Sequence, residues 1–475
     1  MHRISKSTLF FLALAAVALL IVPTSASAQM TFTGTFADGA TYRIEVPATW
    51  NGTLLLYSHG YVTPGSSNPA QDVGDPGTRA FLLANGFALA GSSYATTGWA
   101  IHEAIPDQIA VLDTFDALVG QHPKRTIAWG HSLGGIITAG LIQRNPHRFD
   151  GALPMCGVLS GGVATWNQAL DAAFAFKALV APASALQVVH ITNPTGNFGL
   201  GEALLAGAQA TPQGRARIAL SAALSDTPGW FNPASPEPAA TDFASQELNQ
   251  FLWLQQVDFP FVLAFRAELE FRAGGNPSWN TGVNYREQFE HSRDRAEVEA
   301  LYTAAGLSLD DDLKALNQAT RIAADPPATE YLEHNIIFNG DLDMPVLTMH
   351  TSGDGLVVVE NEQAYRHTVR EAGDNRLLRQ IFVHRAGHCT FTPAETVTAL
   401  ENLIFRLDTG HWPDLDASAL NTEAGALGPL NVAPPAFLDF HPGRFLRPFD
   451  AFTPECGEPG ESHGHGCGEH EGHFF

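Results

Sequence analysis

The chain has 475 residues, 45% of them apolar and only 16% charged, and a formal net charge of −23. That composition can fill a sizeable core, and it excludes a disordered chain or a coiled coil. The negative balance disfavours nucleic acid and anionic membrane surfaces as partners.

The N-terminus has the pattern of a signal peptide, expected to span residues 1–28. Arg3 and Lys6 precede an apolar run from Leu9 to Val22, and Ser25-Ala26-Ser27-Ala28 offers small residues for cleavage before Gln29. No later stretch is long and apolar enough to cross a bilayer. The mature protein is therefore expected to be exported, extracellular or periplasmic, with no stable membrane association; its oligomeric state is left open.

Two alternating runs, residues 31–36 and 41–46, flank Asp38-Gly39 and predict a β-hairpin. Thr53 to Ser58 is continuously apolar, as a central parallel strand buried on both faces requires, and it runs into His59-Gly60-Tyr61. A helix over 75–85, a strand at 87–91 and a helix over 105–119 follow. Then come the strand Thr126-Ile127-Ala128-Trp129, the pentapeptide Gly130-His131-Ser132-Leu133-Gly134, a helix to 144 and a strand at 151–156. Strands alternating with helices predict an α/β fold with a mostly parallel sheet covered on both faces.

From about 160 to 340 the rhythm changes to Ala- and Leu-rich helical spacing with aromatic clusters. Strand rhythm then resumes: a strand at 344–350, a helix over 361–372, the last strand at 377–384 and the last helix over 394–406. The expected organisation is a discontinuous core, 29–160 and 341–412, interrupted by a helical cap at 161–340. After Trp412 order is expected to decline into a Pro/Gly-rich extension, 413–475, in which Phe437-Leu438-Asp439-Phe440 and Phe445-Leu446 can still dock on the core, with a His-rich end that holds His463, His465, His470 and His473. Its histidines suit either a metal-binding tail or a disordered one, and no catalytic metal is expected there.

Strand, Gly-flanked turn and helix around Ser132 form the context of a nucleophile elbow. A serine hydroxyl needs a base within hydrogen-bond reach, and the base needs an orienting acid. Asp354 lies between Gly353 and Gly355 after the strand that follows the insertion; Asp341 and Asp343 are weaker rivals because they precede it. His388 follows the last strand, whereas His384 still lies within it. The order Ser132, Asp354, His388 suits acyl transfer, with no cofactor. The oxyanion donors are expected to be the amides of Leu133 and Tyr61, with Gly60 next.

These motifs resemble the α/β-hydrolase superfamily, within it the secreted bacterial esterase-like branch. The resemblance rests on His59-Gly60, the pentapeptide, Asp354 and Gly387-His388-Cys389, and covers about 30–160 and 340–410. It implies an α/β-hydrolase fold and a carboxylic ester hydrolase, with an amidase or exported peptidase as alternative and a polyester depolymerase as a further one. Small-molecule or polymeric esters are the implied substrates. His388 followed by Cys389 is similar to tannases and feruloyl esterases, where a disulfide ties the histidine to the nucleophile's neighbourhood. This chain departs from them in having no Cys before Ser132. A modified tether, Cys156–Cys389, with Cys456–Cys467 as the second bond, is the expected pairing among the three that four cysteines allow.

Overall fold

A computed structural model describes residues 29–449. The expected signal peptide, the His-rich end and the Cys456–Cys467 pair lie outside the described residues.

Every residue of β3 (Thr53–Ser58) is buried. Leu54 and Leu56 enter the apolar cluster on one face, while Leu55 and Tyr57 enter the cluster on the other. This follows from the two-residue period of a strand sandwiched between helical layers. Each such leucine contributes about 1.5–3 kcal/mol by leaving water.

The strands β1 (Met30–Thr35), β2 (Thr41–Val46), β3, β4 (Ala88–Ser92), β5 (Arg125–His131), β6 (Gly151–Met155), β7 (Val346–Gly353), β8 (Leu378–Ala386) and β9 (Phe437–Leu438) form one sheet. Its order is β1-β2-β4-β3-β5-β6-β7-β8-β9. The pairs from β4 through β8 are parallel; β1–β2, β2–β4 and β8–β9 are antiparallel. The helices α1 (Pro76–Ala84), α2 (Ile101–Val119) and α3 (Leu133–Arg144) connect the first half of the sheet. This is the α/β-hydrolase fold.

Between β6 and β7 the described chain forms no strand. It runs through α4 (Gly162–Val180), then helices from α5 (Pro194–Gln209) to α12 (Pro326–His334), with two short π-helical turns, Leu254–Asp258 and Phe261–Phe265. Trp166, Leu269 and Leu332 from this stretch join the same apolar cluster as Ile136 and Val158. The insertion thus shares a core with the sheet.

After β7 come α13 (Asn361–Ala372), β8, α14 (Pro393–Thr409) and α15 (Ala417–Ala426). The expected loss of order after Trp412, and the placing of the last strand at 377–384 and the last helix over 394–406, need correction. Helix α15 and the ninth strand follow, with Val383 paired to Phe437. Further on, Phe445 is buried, and buried Arg447 pairs with Asp171 of α4. A two-residue strand carries too little periodicity to be seen in sequence, and Arg447 is held by a partner 276 residues away. No described helix is long and apolar enough to cross a membrane.

Candidate active site

The elbow geometry follows from crowding at the end of β5. A Cβ on Gly134 would sit 1.9 Å from the Ser58 carbonyl oxygen, and one on Gly130 would sit 2.5 Å from it. Only glycine allows this approach. Ser132 itself adopts φ 60°, in the left-handed region, and caps the N-terminus of α3. Such a conformation costs of order 1–3 kcal/mol and persists because the packing on both sides holds it.

Ser132, Asp354 and His388, drawn from three separate segments, meet at the C-terminal ends of β5, β7 and β8. His388 Nε2 lies 2.7 Å from Ser132 Oγ, and His388 Nδ1 lies 2.7 Å from Asp354 Oδ2. Asp354 Oδ1 accepts the amides of Leu356 and Val357 at 3.1 and 3.0 Å. The carboxyl is fully buried, which opposes its charge, but His388 and His350 beside it hold its pKa below the ordinary value. An imidazole placed between an alcohol and a fixed carboxylate is the arrangement that activates a serine. Asp341 and Asp343 are exposed before β7, and His384 points away toward Glu237 at 3.3 Å.

Leu133 is the first residue of α3, so its amide has no intrahelical acceptor. Tyr61, Ser132 and Leu133 line one cavity. The Gly60 backbone passes alongside: a Cβ there would lie 3.4 Å from Ser132 Cβ. His59 anchors this loop through Gly60 and Ser93 carbonyls, at 2.7 and 3.2 Å, and stacks on Tyr94. The Tyr61 ring packs against Phe261 and Phe265 of the insertion.

Cys156 and Cys389 are joined in a disulfide. Cys389 Sγ is 3.3 Å from His388 Nε2. Among the described residues, Cys156, His388 and Cys389 form the one group of three or more such side chains whose ligand-type atoms all lie within 4.8 Å of one another. Both sulfurs are spent in the disulfide and both imidazole nitrogens are engaged, so no donor set is left for an ion.

Three side chains at the site carry no local sequence signal. His350, on β7, and Glu362, on α13, are 3.1 Å apart and fully buried behind Asp354. Asp258 lines the cavity from the π-helical turn of the insertion. The spacing of His350 and Asp354, four residues apart across a strand end, is the only hint that sequence offered.

No family model matches the chain. The chain is 30% identical over 426 residues to an o-phthalyl amidase of Xanthobacter agilis, a match spanning 83% of this chain and 90% of that protein. Similar solved structures include an esterase from Aspergillus oryzae, with a TM-score of 0.42, 14% identity and 81% and 80% of the two chains covered. Feruloyl esterase B from the same organism has a TM-score of 0.40, 14% identity and coverage of 81% and 82%. A serine hydrolase from the polyaromatic hydrocarbon-degrading bacterium Cycloclasticus zankles has a TM-score of 0.35, 15% identity and coverage of 81% and 100%.

Proposed function

The chain belongs to the family of the Xanthobacter agilis o-phthalyl amidase, and from that premise we propose that it is an exported serine hydrolase cleaving carboxylic esters through an acyl-enzyme. The observation that carries the reading is the continuous relay Ser132 Oγ, His388, Asp354, both links at 2.7 Å.

Ser132 attacks the carbonyl carbon while His388 Nε2 takes the hydroxyl proton. Asp354 holds the Nδ1–H tautomer and stabilises the imidazolium. The amides of Leu133 and Tyr61, with Gly60 beside them, bind the oxyanion; one such donor lowers the barrier by ~2.7–4 kcal/mol. His388 returns its proton to the leaving group, then activates the water that releases the acid. None of these steps calls on a cofactor. The helical insertion acts as a cap, and its Trp166, Phe259 and Phe261 shape a mainly apolar acyl cavity.

Amides of aromatic acids are the second reading, favoured by the relative's name. The chemistry differs only in the leaving amine, which must be protonated by His388 before it departs. Nitrophenyl esters and acyl anilides of the same acids, run side by side, separate the two. Faster anilide turnover, corrected for intrinsic reactivity, moves the assignment to an amidase. Loss of hydrolysis in Ser132→Ala, with loss of labelling by a fluorophosphonate, tests the site itself.

Export is supported by the leader pattern and by a disulfide, which suits an oxidising compartment. A mature N-terminus at Gln29 in the exported protein is the expected result.

A further inference from the structure

The cavity beside Ser132 holds a carboxyl group that acyl transfer does not use. Among the described lining residues Asp258 is the one carboxylic acid, and no lysine, arginine or histidine accompanies it. The walls around it are largely apolar, with Leu254, Phe259, Phe261 and Val262 from its own segment. Oδ2 is occluded and has no hydrogen-bond partner. Asp258 as a whole is half-buried, but its occluded oxygen lacks the partner that offsets desolvation, so folding alone does not favour an acid here.

The local backbone points the same way. Asp258 ends a π-helical turn, and a second one starts three residues later at Phe261. Such turns re-aim side chains and recur at functional sites. Pro260 between them has no N–H to give, which helps break the regular helical ladder.

We propose that Asp258 is a specificity-determining residue, its carboxyl hydrogen-bonding an oxygen substituent on the ring of an aromatic acyl group seated in this cavity. The inference rests on the acyl-enzyme reading of Ser132. Burial, and then the nearby Asp354 charge, hold the Asp258 carboxyl well above the ordinary carboxylate range, with no hydrogen bond opposing them. In its neutral form the group offers one O–H donor and one carbonyl acceptor. That pair suits a ring hydroxyl or carboxyl, and it gives a cationic substituent no counter-charge. The apolar walls supply the surface for the ring.

The test compares kcat/KM for nitrophenyl benzoate, its three ring-hydroxylated forms, the phthalate monoester and an aminomethylbenzoate. Wild type, Asp258→Asn and Asp258→Leu are assayed, with Asp258→Ala standing in if the leucine variant is insoluble. The expected result is a preference of about tenfold or more for at least one oxygen-bearing ester over benzoate. Asparagine, a neutral hydrogen-bonding isostere, keeps most of it, and leucine or alanine reduces it to about twofold or less. The leucine variant is also expected to melt at a higher temperature, because an occluded carboxyl oxygen without a partner is gone.

A wild-type enzyme without such a preference overturns the proposal, as does a preference that survives in the leucine or alanine variant. So does a preference for the aminomethyl ester that asparagine abolishes, which marks an ionised carboxylate. Fluorophosphonate labelling is followed in parallel. Absence of labelling in wild type, or benzoate turnover persisting in Ser132→Ala, defeats the acyl-enzyme reading rather than the role of Asp258.

Discussion

His350 Nε2 lies 3.6 Å from Asp354 Oδ2, the same oxygen that faces His388. The acid therefore sits between two imidazoles, one half-buried at the nucleophile and one fully buried behind it. His350 also contacts Glu362 at 3.1 Å and the Val357 carbonyl at 2.7 Å, so its ring is fixed on both nitrogens. It acts on the reaction through Asp354, as a positioning residue. His350→Gln is expected to lower kcat about tenfold or more with little change in KM, since it removes a buried positive charge 3.6 Å from the catalytic carboxylate. Equal losses in KM and kcat, or none, would count against this role.

The same histidine makes stability depend on alkaline pH. Burial alone lowers its pKa, but the Asp354 carboxylate at 3.6 Å and the Glu362 carboxylate at 3.1 Å raise it from 6.5 to about 10. A base whose folded pKa is raised stabilises the fold fully below its unfolded value, and that contribution is lost as pH rises through the folded one. Wild type is expected to lose stability between about pH 6.5 and 10 more steeply than His350→Gln. Urea unfolding of both proteins at pH 6, 8 and 10 reads the difference. A gap that stays constant over that range would remove His350 as its source.

The disulfide is placed to report on catalysis as well as on stability. Cys156 follows Met155, whose carbonyl accepts the Ser132 amide at 3.0 Å, and Cys389 follows His388. Both cysteines have left-handed φ, 42° and 55°, so each segment is held in an unfavourable conformation beside the site. Reduction is expected to cost about 2–5 kcal/mol of stability and to lower kcat as His388 loses its tether. Cys156→Ser/Cys389→Ser should match the reduced wild type in melting temperature and turnover. A reduced enzyme with unchanged values for both would show that the bond serves neither.

What could be seen in sequence was local. The elbow, the glycine-flanked Asp354 and the strand-ending His388 each announce themselves within a few residues, and alternation of strands with helices supplied the sheet. Contacts that depend on tertiary register left no such mark. Glu362 reaches His350 only because α13 packs against β7, and Asp258 reaches the cavity through a π-helical turn in an insertion that reads simply as helix. The segment around Phe437 and Leu438 reads as able to dock on the core but not as a strand, because the ninth strand is two residues long and completes an existing edge.

Glycines of different kind are expected to respond oppositely to alanine. At Gly134 the new Cβ would meet the Ser58 and His59 carbonyl oxygens at 1.9 and 2.8 Å, and backbone cannot step aside cheaply. Gly134→Ala should destabilise by about 1–3 kcal/mol or more and misplace Ser132, with fluorophosphonate labelling slowed. Gly199, exposed within α5, has nothing within 4 Å of such an atom. Gly199→Ala should stabilise by about 0.4–1 kcal/mol with activity unchanged. Paired urea titrations check both signs.

The C-terminal stretch is expected to be a structural strap whose removal unfolds the insertion. Arg447, 3% exposed, donates to both Asp171 oxygens at 3.3–3.4 Å and to the Trp279 carbonyl at 2.7 Å. Asp171 also takes the Tyr285 hydroxyl and the Gln288 amide, each at 2.9 Å. Burial raises the Asp171 pKa, while Arg447, Gln288 and Tyr285 oppose that rise. Arg447→Met should therefore cost about 3–5 kcal/mol, the usual penalty for leaving one charge of a buried pair unpaired. Adding Asp171→Asn should recover much of it, because the stranded charge is then removed while the amide keeps an acceptor for Tyr285. Denaturant unfolding of the two single variants and the double variant measures the coupling. Additive losses would mean that Arg447 is held by packing and by Trp279 rather than by Asp171.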